Sequence, residues 1–300
     1  MSLEQLNQEF GIAGQLRFFA GKGGLTMIEI DNGHANALIS VYAGQVLTFK
    51  PKDSANDLLF LGEKAYFETG KAIKGGVPIC WPWFGPDPED KGRPAHGFVR
   101  NWPWSVISTK ATTDGSTVIK LGVADDAKSR SIWPYAFNLF QVITVGSTLK
   151  LELITRNAGD TPFSITQGFH TYFKVGDVTR AQVLGLEDKR FIDKVAHDAI
   201  ETQDGPVAVH GEVNRIYEGV DRDLLIDDAA LDRRIRIRGT GSSTCVVWNP
   251  WIETAKSMAD LDDADYLTML CVETLNAASE IIEVPPLGEV VIGVEFGEDL

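Results

Sequence analysis

The sequence predicts an all-β protein made of two large antiparallel sheets packed face to face. Two observations carry that reading. Apolar residues recur at every second position between clusters of Gly, Asp, Asn and Pro, the spacing of half-buried strands. Stretches with helical periodicity are few and do not alternate regularly with strands, as they would in a βαβ protein.

In chain order, QLRFFA (15–20), LTMIEI (25–30), ANALISVY (35–42) and QVLTF (45–49) read as strands. DLLFLGEKAYFETGKAIKGG (57–76) is expected to hold a helical turn or two. FNLFQVITV (137–145) is a further strand, and TLKLELIT (148–155) sets Leu149, Leu151 and Leu153 on one face against Lys150 and Glu152 on the other. RRIRIRG repeats the pattern, with Ile235 and Ile237 opposed to Arg234, Arg236 and Arg238. TCVVWN (244–249), LTMLCVE (267–273) and VVIGVEF (290–296) complete the set, with a second helical stretch expected in ETAKSMADLDDADYL (253–267). Many short strands with frequent turns suit a sandwich, and no repeat, low-complexity tract or long linker marks a boundary. The 300 residues are therefore expected to form a single domain, since β-sandwiches often exceed 200 residues.

Composition narrows the partners. A chain with 44% hydrophobic and 23% charged residues can bury a large core without covalent staples. Its formal net charge of −14 argues against nucleic acid, whose phosphates require a basic face. No apolar run approaches the roughly 18 residues of a membrane span, and MSLEQLNQEF lacks the basic start and apolar stretch of a secretory signal. Cys80, Cys245 and Cys271 are odd in number, show no C-x-x-C spacing and sit in apolar or aromatic runs. Free, buried thiols follow, and with them a reducing, cytoplasmic setting. The chain is expected to act as a monomer.

The unusual stretch is 71–104. It holds Trp81, Trp83, Trp102 and Trp104 and six of the thirteen prolines, and between 71 and 100 five Lys/Arg (Lys71, Lys74, Lys91, Arg93, Arg100) face three acids. A stiff loop on a β scaffold is a common place for a site, and its positive balance suits an anionic ligand. The tryptophans could equally close one end of the sandwich, with the lysines merely solvated.

Two residues could move protons. His170, in TQGFHTYFK, has an ordinary pKa near neutrality, although an imidazole in so apolar a setting is often a satisfied core residue. Glu273 closes the apolar run LTMLCV, where a carboxylate must find a donor or raise its pKa. A structural, hydrogen-bonded Glu would look the same. Asp221 in EGVDRD and Trp248, Asn249 and Trp251 in VWNPW offer groups suited to sugar hydroxyls and C–H faces, though a turn role fits Asp221 as well. The five histidines lack metal-ligand spacing, and neither a nucleotide-binding glycine motif nor G-x-S-x-G occurs.

KGGVPICWPWFGP, AHGFVRNWPW, GFHTYFKVGD, VWNPW and MLCVET, in this order and at these separations, closely resemble the glucose-6-phosphate mutarotase (hexose-6-phosphate epimerase) branch of the galactose-mutarotase-like superfamily. The resemblance covers nearly the whole chain. It implies a galactose-mutarotase-like β-supersandwich whose concave face holds a sugar phosphate, and anomer interconversion of a hexose 6-phosphate without metal or other cofactor. It further implies Glu273 as base, His170 as acid, and Lys74, His96, Arg100 and Asp221 as substrate contacts. One departure is Lys74, where the family commonly has Arg before Gly-Gly; lysine binds phosphate as a point charge, without a planar fork. A non-catalytic sugar-binding sandwich, a mutarotase of free aldoses and a glycoside hydrolase are the alternatives, the last disfavoured because it normally needs a carboxylate pair.

Overall fold

The computed structural model describes residues 1–299. Two large antiparallel sheets dominate. The first, the site sheet, has the strand order Ala199–Thr202, Arg190–Asp193, Val213–Glu218, Thr244–Asn249, Met269–Asn276, Gln167–Phe169, Ile79–Cys80, with Tyr172–Lys174 also paired to Met269–Asn276. The second, the back sheet, has nine strands running from Val207–Ala208 at one edge to Ser105–Ala111 at the other. A four-stranded meander, Leu16–Ala20 to Gln45–Pro51, forms a separate sheet near the N-terminus.

Period-two patterning explains the layers. Phe137–Val145 and Leu149–Asn157 alternate buried and half-buried positions along their length, because one face meets the core and the other meets solvent. Met269–Asn276 is buried at all eight positions, since both of its faces are covered. Leu270 and Val272 join Leu149, Leu151, Leu153, Ile235 and Ile237 in one large apolar core. Side chains of opposite parity on the site sheet point away from that core, and this is what makes a site on its far face.

The expected strands are present, with ends displaced by a few residues. No helix forms in 57–76, but the segment makes two isolated turns, closed by the Ala65 amide donating to Gly62 O at 3.1 Å and the Lys71 amide to Glu68 O at 3.2 Å. Its other parts run extended: Leu59 bridges Phe173, Leu61 bridges Gly75, and the Phe60 amide donates to Tyr172 O at 2.9 Å. Pairing with neighbouring chain satisfies the backbone of those parts. The helical stretch in 253–267 is present as Trp251–Ser257 and a 3-10 turn at Asp265–Leu267. Two short helices were not foreseen, Leu3–Phe10 and Ala127–Ile132, each opened by a capping box, Ser2 with Gln5 and Asp126 with Ser129. No helix among the described residues is long and apolar enough to cross a membrane.

Trp81, Trp83, Trp102 and Trp104 are buried parts of the main core, not an exposed platform. Trp81 packs against Phe98, Trp133 and Phe137, and its indole N–H donates to Thr155 Oγ1 at 3.0 Å. They anchor the 81–104 segment so that the groups between them are held over the site sheet.

Candidate active site

Glu273 reaches the site through strand register. Val246 lies beside it on the neighbouring strand, and Ile216 beside Val246, so the carboxyl group stands in an apolar row. His170 follows Gln167–Phe169, which pairs with the same strand, and its backbone N–H donates to Pro78 O at 2.9 Å. The two side chains meet: His170 Nε2 is 3.4 Å from Glu273 Oε1, with the residues 8% and 1% exposed. The imidazole stacks on Tyr172 at 4.8 Å and stands edge-on to Trp248 and His96.

Each partner keeps one buried polar atom unsatisfied, Nδ1 of His170 and Oε2 of Glu273. Burial raises the Glu273 carboxyl well above the usual carboxylate range, with Arg100 opposing the rise. Burial pushes His170 well below the usual imidazole value, and the positive charges of Arg100 and Lys74 add to that. Both directions favour an uncharged pair holding one titratable proton, on Glu273.

Over the pair opens a cavity of about 540 Å³, bordered by Lys74, Phe84, His96, Arg100, Trp248 and Asn214 among others. Lys74 is 3.5 Å from Asp260, and Lys194, also at the cavity, pairs with Asp198. Arg100 differs: Nη2 donates to Ala95 O at 3.0 Å, Nε is buried without an acceptor, and no carboxylate lies in ion-pair reach among the described residues. Its guanidinium retains capacity for an anion. The other cations of the 71–104 stretch are already matched, Lys71 by Glu68, Lys91 by Glu89 and Arg93 by Asp87.

His96 adopts a left-handed backbone at φ 61°. Its amide donates to Gly85 O at 2.7 Å, and the Gly85 amide donates back to Nδ1 at 3.3 Å, with Cys80 Sγ 3.4 Å from the same nitrogen. A backbone N–H can only donate, so Nδ1 accepts and this network assigns the ring proton to Nε2. Burial, then Arg100 and Lys74, lower its pKa to about 3. His96 is thus a neutral N–H donor at the cavity.

The structure brings Lys74, His96, Arg100, His170 and Glu273 together and leaves Asp221 apart. Asp221 is exposed, 2.6 Å from Lys189 and 3.5 Å from Arg222, at the rim of a separate hollow walled by Thr244, Cys245 and Thr274. Cys245 and Thr274 have the opposite parity to Val246 and Glu273, so this hollow opens across the sheet from the pair. Trp248 borders the cavity, whereas Asn249 spends its amide on Tyr266 O and Met269 O, and Trp251 packs on Tyr266. Asn214 was missed, although a signal existed: in VNRIYE, Val213 and Tyr217 take the core face, leaving Asn214 and Ile216 on the other.

Donor atoms of His170, Cys271 and Glu273 lie within 4.8 Å of one another, a grouping that spacing along the chain did not show. Arg100 and Lys74 border the same cavity, and their positive charge opposes a cation there.

A sequence profile of the family "Aldose 1-epimerase" matches residues 26–287. The chain belongs to the aldose 1-epimerase family. Among relatives of this family member, an Escherichia coli protein named "Putative glucose-6-phosphate 1-epimerase" is 36% identical over 256 residues, covering 85% of this chain and 84% of that protein. A Cenchrus ciliaris protein of the same name is 35% identical, over 79% of this chain and 74% of the relative. The crystal structure of "a putative mutarotase (YeaD)" from Salmonella typhimurium superposes with a TM-score of 0.89 at 31% identity, over 96% of this chain and 95% of the other. A galactose mutarotase-like protein from Clostridium acetobutylicum shares the fold at 15% identity, with a TM-score of 0.73 over 95% and 98% of the two chains. The epimerase fold and the sequence relationship thus coincide over nearly the whole length.

Proposed function

We propose that the chain interconverts the α and β anomers of a hexose 6-phosphate, glucose 6-phosphate first among them, by opening and reclosing the sugar ring. The observation that carries this reading is the contact between His170 and Glu273 at the base of a cavity that also presents the unpaired Arg100. Ring opening needs a base for the anomeric hydroxyl and an acid for the ring oxygen. Glu273, as carboxylate, takes the hydroxyl proton, and His170, as imidazolium, protonates the ring oxygen. The aldehyde formed turns about its bond to C2, and reclosure reverses both transfers.

The remaining residues bind. Arg100 and Lys74 hold the phosphate, which is largely dianionic at neutral pH because its second pKa is about 6. The His96 Nε2–H and the Asn214 amide meet sugar oxygens, and the Trp248 ring packs on C–H faces. In this reading no cofactor is required, and the three buried free thiols fit a reducing, cytoplasmic compartment.

The test is anomer exchange of glucose 6-phosphate followed by NMR in wild type, Glu273→Gln and His170→Asn. Removing a general acid or base costs about 10²- to 10⁴-fold, so each variant should lose exchange by that order while keeping its circular dichroism. Near-wild-type exchange in either folded variant would refute the roles. Equal efficiency on free glucose, unaltered in Arg100→Ala, would remove the phosphate from the substrate.

A further inference from the structure

We propose that the ligand's phosphate arms the acid–base pair itself: by cancelling the positive charge that Arg100 and Lys74 bring to the cavity, it lets the pair's single proton pass from Glu273 to His170. The proposal rests on the hexose-phosphate reading above and adds that the phosphate acts on the chemical step as well as on binding.

The cavity's own residues are arranged against the charged pair that the chemistry needs. Among the described residues Arg100 has no carboxylate partner, and its buried Nε has no acceptor. Lys74 lies 3.5 Å from Asp260 and 3.8 Å from Met258 Sδ. Around His170 stand Tyr172 from its own segment, Cys271 and Glu273 from Met269–Asn276, His96 and Arg100 from the loop beyond Cys80, and Lys74. Burial holds the Tyr172 hydroxyl and the Cys271 thiol neutral, and His96 is neutral as well. The pair therefore faces Arg100 and Lys74, of which only Lys74 has an acidic partner among the described residues. An imidazolium there is opposed both by lost solvation and by like charge.

A dianion on Arg100 and Lys74 reverses the second effect. Arg100 and Lys74 both oppose an imidazolium at His170. A dianion bound to them offsets that like-charge opposition, while the 3.4 Å contact keeps the newly formed carboxylate beside the imidazolium it faces. The step is balanced within the pair: the O–H bond on Glu273 breaks, an N–H bond forms on His170 Nε2 across the 3.4 Å contact, and no proton comes from solvent. One transfer creates both the base and the acid. A ligand without the anion enters a site whose pair stays neutral.

The proposal separates kcat from KM. An anion that only anchored the sugar would lower KM and leave kcat alone, whereas one that arms the pair raises kcat. The experiment measures kcat for glucose 6-phosphate and for glucose, and then for glucose with phosphite or inorganic phosphate added as a separate dianion. A tenfold rate corresponds to one pKa unit on the acid. Glucose 6-phosphate is expected to exceed glucose in kcat by about tenfold or more, added dianion to raise glucose turnover in the same direction, and Arg100→Ala to abolish that stimulation. Should Arg100→Ala fail to fold, Lys74→Gln is expected to weaken the stimulation. Equal kcat for the two sugars, or a dianion that only competes with glucose 6-phosphate, would overturn the proposal while leaving the anomerase reading intact. Absence of any exchange on glucose 6-phosphate would sink both.

Discussion

The burial of Glu273 costs stability, a cost that serves chemistry under the proposed function. Its carboxyl is 1% exposed, touches one imidazole and leaves Oε2 without a partner. Its folded pKa lies above the ordinary value of 4.5, so above pH 4.5 the unfolded chain releases a proton that the folded protein keeps. Stability therefore falls as pH rises through that window. Glutamine is neutral in both states, so the stability of Glu273→Gln relative to wild type should grow as pH rises above 4.5. Thermal denaturation of both proteins across that range checks this; a constant difference in Tm would contradict it. His170 carries the opposite sign. Its folded pKa is depressed below 6.5, so the stability linked to it is lost as pH falls below that value, and His170→Asn should flatten the acid limb. Neither effect was legible in the sequence beyond the expectation that a carboxylate in LTMLCVE must be paired or raised, because burial is a property of neighbours distant along the chain.

At the scale of elements, the loop between Trp81 and Gly97 decides where the donors stand. His96 sits at φ 61° and Gly97 at φ 74°, with the Phe98 amide returning to Trp81 O at 3.2 Å. A Cβ on Gly97 would fall 1.8 Å from Trp81 O, whereas one on Gly92, at φ 75°, would meet nothing within 4 Å. Gly92→Ala therefore carries only the left-handed strain, about 1 kcal/mol, while Gly97→Ala must also move backbone beside His96. Gly97→Ala is expected to lose clearly more stability than Gly92→Ala in urea titration, and to raise KM for glucose 6-phosphate where Gly92→Ala does not. Indistinguishable variants would show that the loop adjusts freely. The sequence announced this loop through its Trp, Pro and charge content, but not which members do what. The tryptophans turned inward into the space between the sheets, and four of the five cations found acidic partners, Lys74 through Asp260 at the cavity, leaving Arg100 there without one among the described residues.

Across the whole molecule, the formal charge of −14 repels a phosphorylated ligand at long range, while Lys74, Arg100 and Lys194 attract it at close range. Salt weakens both, the exposed long-range repulsion more than attraction inside a partly enclosed cavity. KM for glucose 6-phosphate should then change only modestly, by about threefold or less, between roughly 0.05 and 0.5 M salt, over which the screening length shrinks about threefold. A steep rise in KM would place the phosphate on exposed cations instead of in the cavity.

The sequence by itself determined the all-β class, most of the strands, the free buried thiols and the family, because period-two patterning and ordered motifs are local or collinear signals. It also singled out His170 and Glu273 as proton-moving candidates, and the resemblance supplied Lys74, His96 and Arg100. Only the tertiary structure decided that these five share one cavity, that Asp221 stands at a separate hollow among Lys189 and Arg222, and that Asn214 borders the site. Which strand lies beside which, and which parity faces the core, follows from sheet pairings between residues a hundred positions apart, such as Gly168 with Leu275, and the sequence carries no local signal for them. The extended parts of residues 57–76 have the same origin: around the two local turns at 62–65 and 68–71, backbone hydrogen bonds go to Tyr172 and other distant partners, which keeps the turns from growing into a helix.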